Sequence, residues 1–520
     1  MSDKSPRPNK YFDIYAPVFY PSALLILLFI GLTLGIGKPV EEIFQRMSNS
    51  MTTHFGWLLV FAVNAFLIFC IYLAASKFGG IRLGGKDARP EFSLFAWFAM
   101  LFSAGMGIGL LFFSVAEPVI HFSNPPTGAG GTIEAARNAM RLTFLHYGFH
   151  AWAIYALVGL ALAFFAYNRG LPLSIRSTFF PLLGKQIHGP AGHVIDVISV
   201  VATLFGLATS LGLGVQQIAS GLHHLFGLPN ETWMQVLLIA LITLIATGSV
   251  VSGLDKGIRM LSEMNMRLGI VFLTLMLLLG PTVYLLDGFI QNTGAYLQGL
   301  VAAGTWTETY AGTNWQNTWT VFYWAWWISW SPFVGIFIAA VSKGRTIRQF
   351  VLGVLLVPAM LTFLWLSVFG GSALYLGLNG IANIASAVNE DISTALFVML
   401  ESYPLGFLTS ILGIVLVTSF FVTSSDSGSL VIDSITSGGK LNTPVGQRIF
   451  WAFSEGAVAI ALLIGGGLIA LQAAVVSTGL PFAILLIVMC FSLYKGLNDS
   501  AESPRSNAPG SPRRSSAEAR

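Results

Sequence analysis

Residues 319–333 read WTVFYWAWWISWSPF, fifteen residues without a charged side chain. Five of the chain's 13 tryptophans fall in this stretch. The apolar run continues to Val341, and a helix needs roughly 20 apolar residues to cross the hydrocarbon core of a bilayer. The stretch therefore predicts a membrane-spanning helix that carries aromatic side chains along its length.

The composition of the whole chain leads to the same class. Of its 520 residues, 55% are hydrophobic and only 10% are charged, whereas soluble proteins carry about 25% charged residues. The net charge of +4 is typical of the basic residues that membrane proteins keep on the cytoplasmic side. We therefore predict an all-α integral protein of the lipid bilayer and no nucleic-acid partner.

Apolar runs of spanning length occur along most of the chain. They predict about twelve transmembrane helices, near Tyr20–Gly37, Trp57–Lys77, Phe92–Val115, Phe144–Tyr167, Val194–Ile218, Met234–Val251, Leu268–Leu286, Trp319–Val341, Phe350–Leu376, Leu405–Thr423, Ile449–Ile469 and Ala473–Tyr494.

The basic residues predict the orientation of these spans. If the N-terminus is cytoplasmic, 23 of the 27 lysines and arginines fall on inner segments and none lies in the middle of a span. The four outer ones are Lys38, Arg46, Arg137 and Arg141. This asymmetry favours a cytoplasmic location for both the N-terminus and the C-terminus. We predict a cytoplasmic N-terminal tail over residues 1–15, a twelve-helix membrane domain over 16–495, and a disordered cytoplasmic tail over 496–520, which is rich in Ser, Pro and Arg.

The third span contains three alternating glycines, in the sequence AGMGIG at residues 104–109. Each glycine weakens a helix by about 1 kcal/mol relative to alanine. Such interruptions mark cation and substrate sites in secondary transporters, although small residues also allow close helix packing. The glycines alone do not decide between these two interpretations.

The aromatic residues of the eighth span favour a cation-binding box. Trp326, Trp330 and Phe333 recur at helical spacing, with Trp327 beside them. Indole faces attract quaternary ammonium groups, by about 2 kcal/mol or more when desolvated. An interfacial aromatic belt would lie at the span ends, whereas this cluster runs through the span. Pro332 removes a backbone donor, so we expect the helix to open locally there.

The chain resembles the betaine/choline/carnitine transporter family. The similar segments are the run from Trp319 to Phe350 with GRTIR at 344–348, the glycine stretch followed by Glu117–Pro118, SGLDKG at 252–257, and TSSDS at 423–427. The resemblance extends from the first span to about Lys495. It implies twelve helices with inverted five-helix repeats (LeuT-like) over about 92–290 and 317–495, assembly as a homotrimer, and a location in the bacterial inner membrane.

The resemblance also implies binding residues. It places an onium group among Trp152 and Tyr155 of the fourth span and the tryptophans of the eighth, with the glycine stretch nearby. Trp152 and Tyr155 share a helix face by their spacing. Tyr147, where many betaine carriers have Trp, lies well round the helix from them, so its inclusion depends on the family alone. The full predicted substrate set is Met106, Gly107, Gly109, Tyr147, Trp152, Tyr155, Trp326, Trp327, Trp330 and Phe333.

The coupling ion is predicted from the same resemblance. Sodium-coupled members pair the unwound backbone at Ala104, Gly105 and Met106 with hydroxyls that match Thr423 and Ser424, and oxygen ligands suit a hard cation. Bonding of these hydroxyls within their own helix is the alternative. A second sodium site would use Thr203 and Ser210 with Phe333, but Leu207, one turn after Thr203, departs from the family pattern.

The predicted function is a secondary symporter that imports an onium osmolyte, glycine betaine, with sodium, and that is not an enzyme and needs no other cofactor. Proton-coupled choline carriers of the family have Asp where this chain has Gly109, which favours a zwitterion. The segments around Phe112–Pro118 and His146–Gly148 are closer to the choline branch, so a proton-coupled carrier of choline or dimethylsulfoniopropionate stays the alternative.

The sequence gives less support to other functions. An ion channel is disfavoured by the aromatic centre, and a nucleotide-driven pump by the absence of a G-x-x-x-x-G-K-[ST] loop. His146 and His150, which a continuous helix would place on one face, could bind a metal or relay protons. Ala340 stands where the family usually has Arg, which removes a contact predicted for the cytoplasmic side.

Overall fold

The computed structural model describes residues 12–37, 39–105, 107–252, 257–440 and 442–502. Over these ranges the chain is helical and contains no strand, apart from one isolated bridge between Arg82 and Thr346. The α-helices are α1 Ala16–Ile36, α2 Pro39–Ala75, α3 Leu94–Gly105, α4 Ile108–Ser123, α5 Ile133–Tyr147, α6 Phe149–Arg169, α7 Phe180–Leu183, α8 Pro190–Phe226, α9 Thr232–Ser252, α10 Gly257–Leu279, α11 Thr282–Gly304, α12 Phe322–Val341, α13 Ile347–Leu378, α14 Ile384–Glu390, α15 Ala395–Glu401, α16 Gly406–Thr436 and α17 Val445–Glu502.

Helices long and apolar enough to cross a membrane dominate this fold. The described residues contain ten such segments, formed by α1, α2, the α5–α6 pair, α8, α9, α10, α12, α13, α16 and α17. The prediction of an all-helical integral membrane protein is therefore confirmed. On the periphery, α1 exposes leucines such as Leu24, Leu28 and Leu32, an arrangement that suits lipid as the neighbour.

The third predicted span is divided into two short helices. α3 has 12 residues and ends at Gly105, and α4 has 16 residues and begins at Ile108. Gly107 between them has extended backbone angles, φ −159° and ψ −178°, and Met106 lies outside the described residues. The interruption predicted from the glycines is therefore present, and it leaves two helix ends inside the protein.

Two glycines divide α17. Gly466 (φ 153°) and Gly467 (φ 55°) adopt positive φ angles, which side-chain-bearing residues rarely reach. The two arms of α17 cover residues 445–465 and 468–502. They correspond to the last two predicted spans, Ile449–Ile469 and Ala473–Tyr494. The second arm continues to Glu502, beyond the predicted domain end at 495. Residues 503–520 of the predicted tail lie outside the described residues.

Pro332 does not interrupt α12. The helix runs without a break from Phe322 to Val341, so the expected opening is limited to one hydrogen bond. Pro332 has no N–H for the Ile328 carbonyl, and the Ser331 hydroxyl donates to that carbonyl instead, at 2.7 Å. A local side-chain donor thus satisfies the group that the proline leaves free.

A break at Gly148 separates α5 from α6. Gly148 has φ −92° and ψ −146°, and the Phe149 N–H donates to the Tyr296 hydroxyl at 2.9 Å. A side chain at 148 would meet that hydroxyl at 2.6 Å. The expectation that His146 and His150 share one helix face is therefore wrong, because the two histidines belong to different helices.

The hydrogen bond beside Pro332 generates a stability prediction. Ser331→Ala leaves the buried Ile328 carbonyl without a donor, so we expect a loss of about 1 kcal/mol. The double variant Ser331→Ala/Pro332→Ala restores a backbone N–H and should be destabilised less than Ser331→Ala alone. Thermal unfolding of the purified protein in detergent measures both. Equal losses in the two variants would contradict this account of the helix.

Candidate ligand-binding site

A buried cavity lies between α4, α5, α6, α8, α12 and α13. Eight of the ten predicted substrate residues line it, together with five that the sequence did not single out for this site. The lining residues are Gly107, Ile108, Gly109, Leu110, Tyr147, Ala151, Trp152, Tyr155, Ser210, Trp326, Trp327, Trp330 and Thr362. None of these described residues carries a charged side chain. We refer to this space as the aromatic cavity.

The three α12 tryptophans that line the cavity are held by their indole N–H groups. Trp326 donates to the Ser210 hydroxyl at 3.1 Å and Trp330 to the Gly206 carbonyl at 2.8 Å, both on α8. Trp327 donates to the His146 carbonyl at 2.8 Å. Since the protein already uses these N–H groups, the indoles offer a ligand their π surfaces.

The aromatic rings pack closely against one another. Trp326 and Trp327 are stacked, with centroids 4.8 Å apart and planes at 11°. On α6, Trp152 and Tyr155 meet edge to face at 5.5 Å. Neighbouring rings from two helices therefore fix the shape of the cavity.

Tyr147 reaches the aromatic cavity because α5 ends there. Its ring lies 5.6 Å from that of Trp327, and its hydroxyl donates to the Gly109 carbonyl at 3.0 Å. On one continuous helix, the spacing would put Tyr147 on a different face from Trp152 and Tyr155. The turn at Gly148 removes that separation, and the glycine was the sequence signal for it.

Gly109 is required by the approach of Trp326. A Cβ atom at position 109 would lie 2.7 Å from the indole ring. Trp326 is fully buried and has Phe322 stacked on it at 5.3 Å, so the ring has little room to move aside. In this arrangement no side chain fits at position 109, and an aspartate would not fit either.

The start of α4 faces the same cavity. Residues 107–110 are among its lining, and no side chain caps this helix end. The first N–H groups of a helix have no partner within the helix, and together they attract negative charge. The cavity therefore combines aromatic walls with one edge suited to an anionic group.

A second cavity is separated from the first by Trp330, which lines both. Several of its lining residues carry side-chain oxygens. They are Ser103, Ser262, Asn265, Met266, Gly269, Trp330, Phe333, Val334, Phe337, Phe420, Thr423, Ser424 and Ser427. Phe333, predicted for the substrate set and the second sodium site, thus lies in this cavity and not in the aromatic one.

The predicted first sodium residues meet at this second cavity only in part. Thr423 and Ser424 line it opposite Ser103 of α3. The Thr423 hydroxyl donates to the Ser419 carbonyl at 2.9 Å, as the alternative interpretation expected, and accepts from the Asn265 amide at 3.0 Å. Sequence reasoning missed Asn265.

The α3 side of that predicted site is described only as backbone. Met106 lies outside the described residues, as does the side chain of Ala104. Because α3 ends at Gly105, its last carbonyls lack partners within the helix. Carbonyl oxygens of this kind can serve as ligands for a hard cation.

The residues predicted for a second sodium site are divided between different places. Thr203 donates to the Ser199 carbonyl at 2.7 Å within α8 and lines neither cavity. Ser210 lines the aromatic cavity, where it accepts from Trp326. Leu207 between them packs on Gly428 of α16. The second sodium site stays a prediction.

Comparison with known proteins identifies the family of this chain. A family model described as betaine/carnitine/choline family transporter matches residues 17–502. Glycine betaine transporter 1 of Vibrio parahaemolyticus is 49% identical over 497 residues, which cover 94% of both chains. A glycine betaine/proline/choline transporter of the same organism is 46% identical, over 94% of this chain and 91% of the relative.

A third relative, from another genus, gives the same result. The glycine betaine transporter of Acinetobacter baylyi is 44% identical over 494 residues, which cover 95% of this chain and 75% of the relative. The match of the family model and the coverage of these relatives both extend over nearly the whole chain. The protein therefore belongs to the betaine/carnitine/choline transporter family of multi-pass membrane proteins.

Proposed function

We propose that this protein is a secondary active symporter that imports glycine betaine and is driven by sodium. The observation that carries the proposal is the aromatic cavity, whose walls are indole and phenol rings and whose described lining has no charged side chain. A permanently charged onium group gains cation–π attraction from such walls without needing a hydrogen-bond partner.

The carboxylate of glycine betaine has a matching partner in the cavity. The N–H groups at the start of α4 lie along its edge, around Gly107 and Ile108, and such groups bind anions. A ligand with a positive onium end and a negative carboxylate end satisfies both parts of the cavity. The relatives named for glycine betaine support this choice of substrate.

The alternative of proton-coupled choline transport is less supported. In the choline carriers that the sequence resembles, an aspartate at position 109 supplies the titrating carboxylate. Here Gly109 lies against Trp326 and leaves no space for that side chain. Dimethylsulfoniopropionate, which also combines an onium centre with a carboxylate, is compatible with the same cavity and is a second candidate substrate.

Sodium coupling is supported by the second cavity. Its oxygen-bearing residues include Thr423, Ser424 and Ser103, and the carbonyls at the end of α3 supply further oxygen atoms. Hard divalent cations prefer oxygen ligands, and we apply the same preference to sodium, a hard monovalent cation. Uncharged oxygen atoms such as these would therefore suit sodium. Trp330 lines both cavities, so an ion in one can influence the wall of the other.

The remaining predictions belong to the same proposal. Twelve spans follow if α3 with α4 counts as one interrupted span and α17 as two, in addition to the other nine long segments. Their arrangement as inverted repeats, a homotrimeric assembly, the bacterial inner membrane and cytoplasmic termini are proposed from the family. We propose no enzymatic activity and no cofactor besides the coupling ion.

Uptake into proteoliposomes tests the coupling ion. We expect radiolabelled glycine betaine to accumulate when an inward sodium gradient is imposed at equal pH on both sides. A proton gradient imposed without sodium should produce no accumulation. Accumulation driven by protons and indifferent to sodium would contradict sodium coupling.

Substitution of Trp327 tests the aromatic cavity. Trp327→Ala removes one π surface and its hydrogen bond to the His146 carbonyl, so we expect the KM for glycine betaine to rise about tenfold or more. Trp233→Ala is the control, since Trp233 is half exposed on α9, its indole N–H donates to Glu231, and it lines neither cavity. An unchanged KM in Trp327→Ala would show that the aromatic cavity is not the binding site.

A methyl group at position 109 tests the contact with Trp326. Gly109→Ala forces the ring aside, so we expect a loss of about 1–3 kcal/mol in stability and weaker glycine betaine binding. Gly248→Ala in α9 is the matched control, because no described atom lies within 4 Å of its Cβ position and Gly248 lines neither cavity. Thermal unfolding and calorimetric titration measure the two effects. Equal unfolding temperatures for both variants would contradict the proposed contact.

A further inference from the structure

A buried polar cluster lies behind the aromatic cavity. Glu117 of α4 contacts three donors, namely the Tyr323 hydroxyl at 2.5 Å, His146 Nδ1 at 2.6 Å and His121 Nε2 at 3.2 Å. All four side chains are fully buried. Within the described residues, the histidines are the only basic side chains in ion-pair distance of Glu117.

The contacts of Glu117 suit an ionised carboxylate. The Tyr323 hydroxyl donates to it, and a ring nitrogen of each histidine lies within hydrogen-bond distance, an arrangement that favours the charged form of a carboxyl group. The other nitrogen of His146 lies 2.9 Å from the Thr320 hydroxyl, and either atom can be the donor. The Nδ1 atom of His121 has no partner, so a proton there would be a buried donor without an acceptor, which is costly. His121 is therefore neutral, and Glu117 is ionised.

Two short contacts connect this charge to the aromatic cavity. Tyr323, which donates to Glu117, has its hydroxyl oxygen 3.2 Å from that of Tyr147. The carboxylate is therefore at most about 6 Å from the Tyr147 oxygen. The Tyr323 proton is used by Glu117, and the Tyr147 hydroxyl donates to the Gly109 carbonyl. The Tyr147 oxygen keeps a lone pair for the cavity.

We infer that Glu117 is the counter-charge of the onium site and sets its preference for cations. The inference rests on the proposed function, because it requires that an onium group binds in the aromatic cavity. The lining carries no charge of its own, so the nearest formal negative charge that the described contacts connect to it is the Glu117 carboxylate. Tyr323 lies between the Glu117 carboxylate and Tyr147, and the Tyr147 hydroxyl oxygen presents a lone pair to the cavity.

The size of the effect depends on the net charge of the ligand. At roughly 10 Å and an effective dielectric constant of about 20, two unit charges interact strongly enough to change a Kd about tenfold. Tetramethylammonium is a pure cation and should show the whole effect. Glycine betaine carries its own carboxylate, which is repelled by Glu117, so most of the effect should cancel.

Calorimetric titration of purified protein with tetramethylammonium and with glycine betaine tests this inference. We expect Glu117→Gln to raise the Kd of tetramethylammonium about tenfold and that of glycine betaine threefold or less. The matched control is Glu455→Gln, which alters another fully buried carboxyl group that lines neither cavity. It should leave the ratio of the two Kd values unchanged.

A second variant covers the case in which Glu117→Gln does not fold. Tyr323→Phe keeps the carboxylate and removes the connecting hydroxyl, so we expect the ratio of the Kd values to shift in the same direction by a smaller factor. Equal changes for both ligands, or none, would overturn the inference, as would a stoichiometric metal ion at the cluster in the wild-type protein. Failure of the wild-type protein to bind either ligand would instead overturn the proposed function.

Discussion

Unpaired backbone groups between α3 and α4 are the constraint on which the rest of the site depends. Inside a membrane no water is available to satisfy them, so partners must come from the protein or from a ligand. The carbonyl end of α3 lies at the second cavity, which Ser103 lines, and the N–H end of α4 lies at the aromatic cavity. One interruption therefore presents oxygen atoms to a cation on one side and N–H groups to an anion on the other.

The aromatic residues convert this interruption into a defined binding space. Trp326 packs on Gly109 and hydrogen-bonds to Ser210, so α12 is fixed simultaneously to α4 and α8. Trp330, anchored on Gly206, forms the wall between the two cavities. Because these rings are held by neighbours on several helices, a movement of α4 or α8 would change both cavities together. Such a shared wall is a physical route by which ion and substrate binding can be coupled.

A buried negative charge lies behind the aromatic rings of the cavity. The cavity lining is neutral, whereas Glu117 keeps a negative charge that its hydrogen bonds to His121, His146 and Tyr323 stabilise. A charge placed behind the wall attracts a cation without occupying the space that the ligand needs. It also leaves the start of α4 free to bind a carboxylate, which a negative side chain in the cavity itself would oppose.

The sequence by itself determined the class of the fold and most of the site. Apolar runs predicted the long helices, alternating glycines predicted the break near residues 104–109, and clustered tryptophans predicted an aromatic box. These features are local, because length, hydrophobicity and glycine content act within one segment. The recognised family pattern added Trp152, Tyr155 and Tyr147, which no local pattern connects to residues 170 positions later.

Only the tertiary structure decided how these segments meet. The turn at Gly148 brings Tyr147 into the cavity and separates His146 from His150, because one glycine ends the helix on which periodicity depends. Helix packing places Phe333 in the second cavity, Asn265 against Thr423, and Tyr323 against Glu117. These contacts join residues on different helices, and the spacing within a single helix contains no information about its partner.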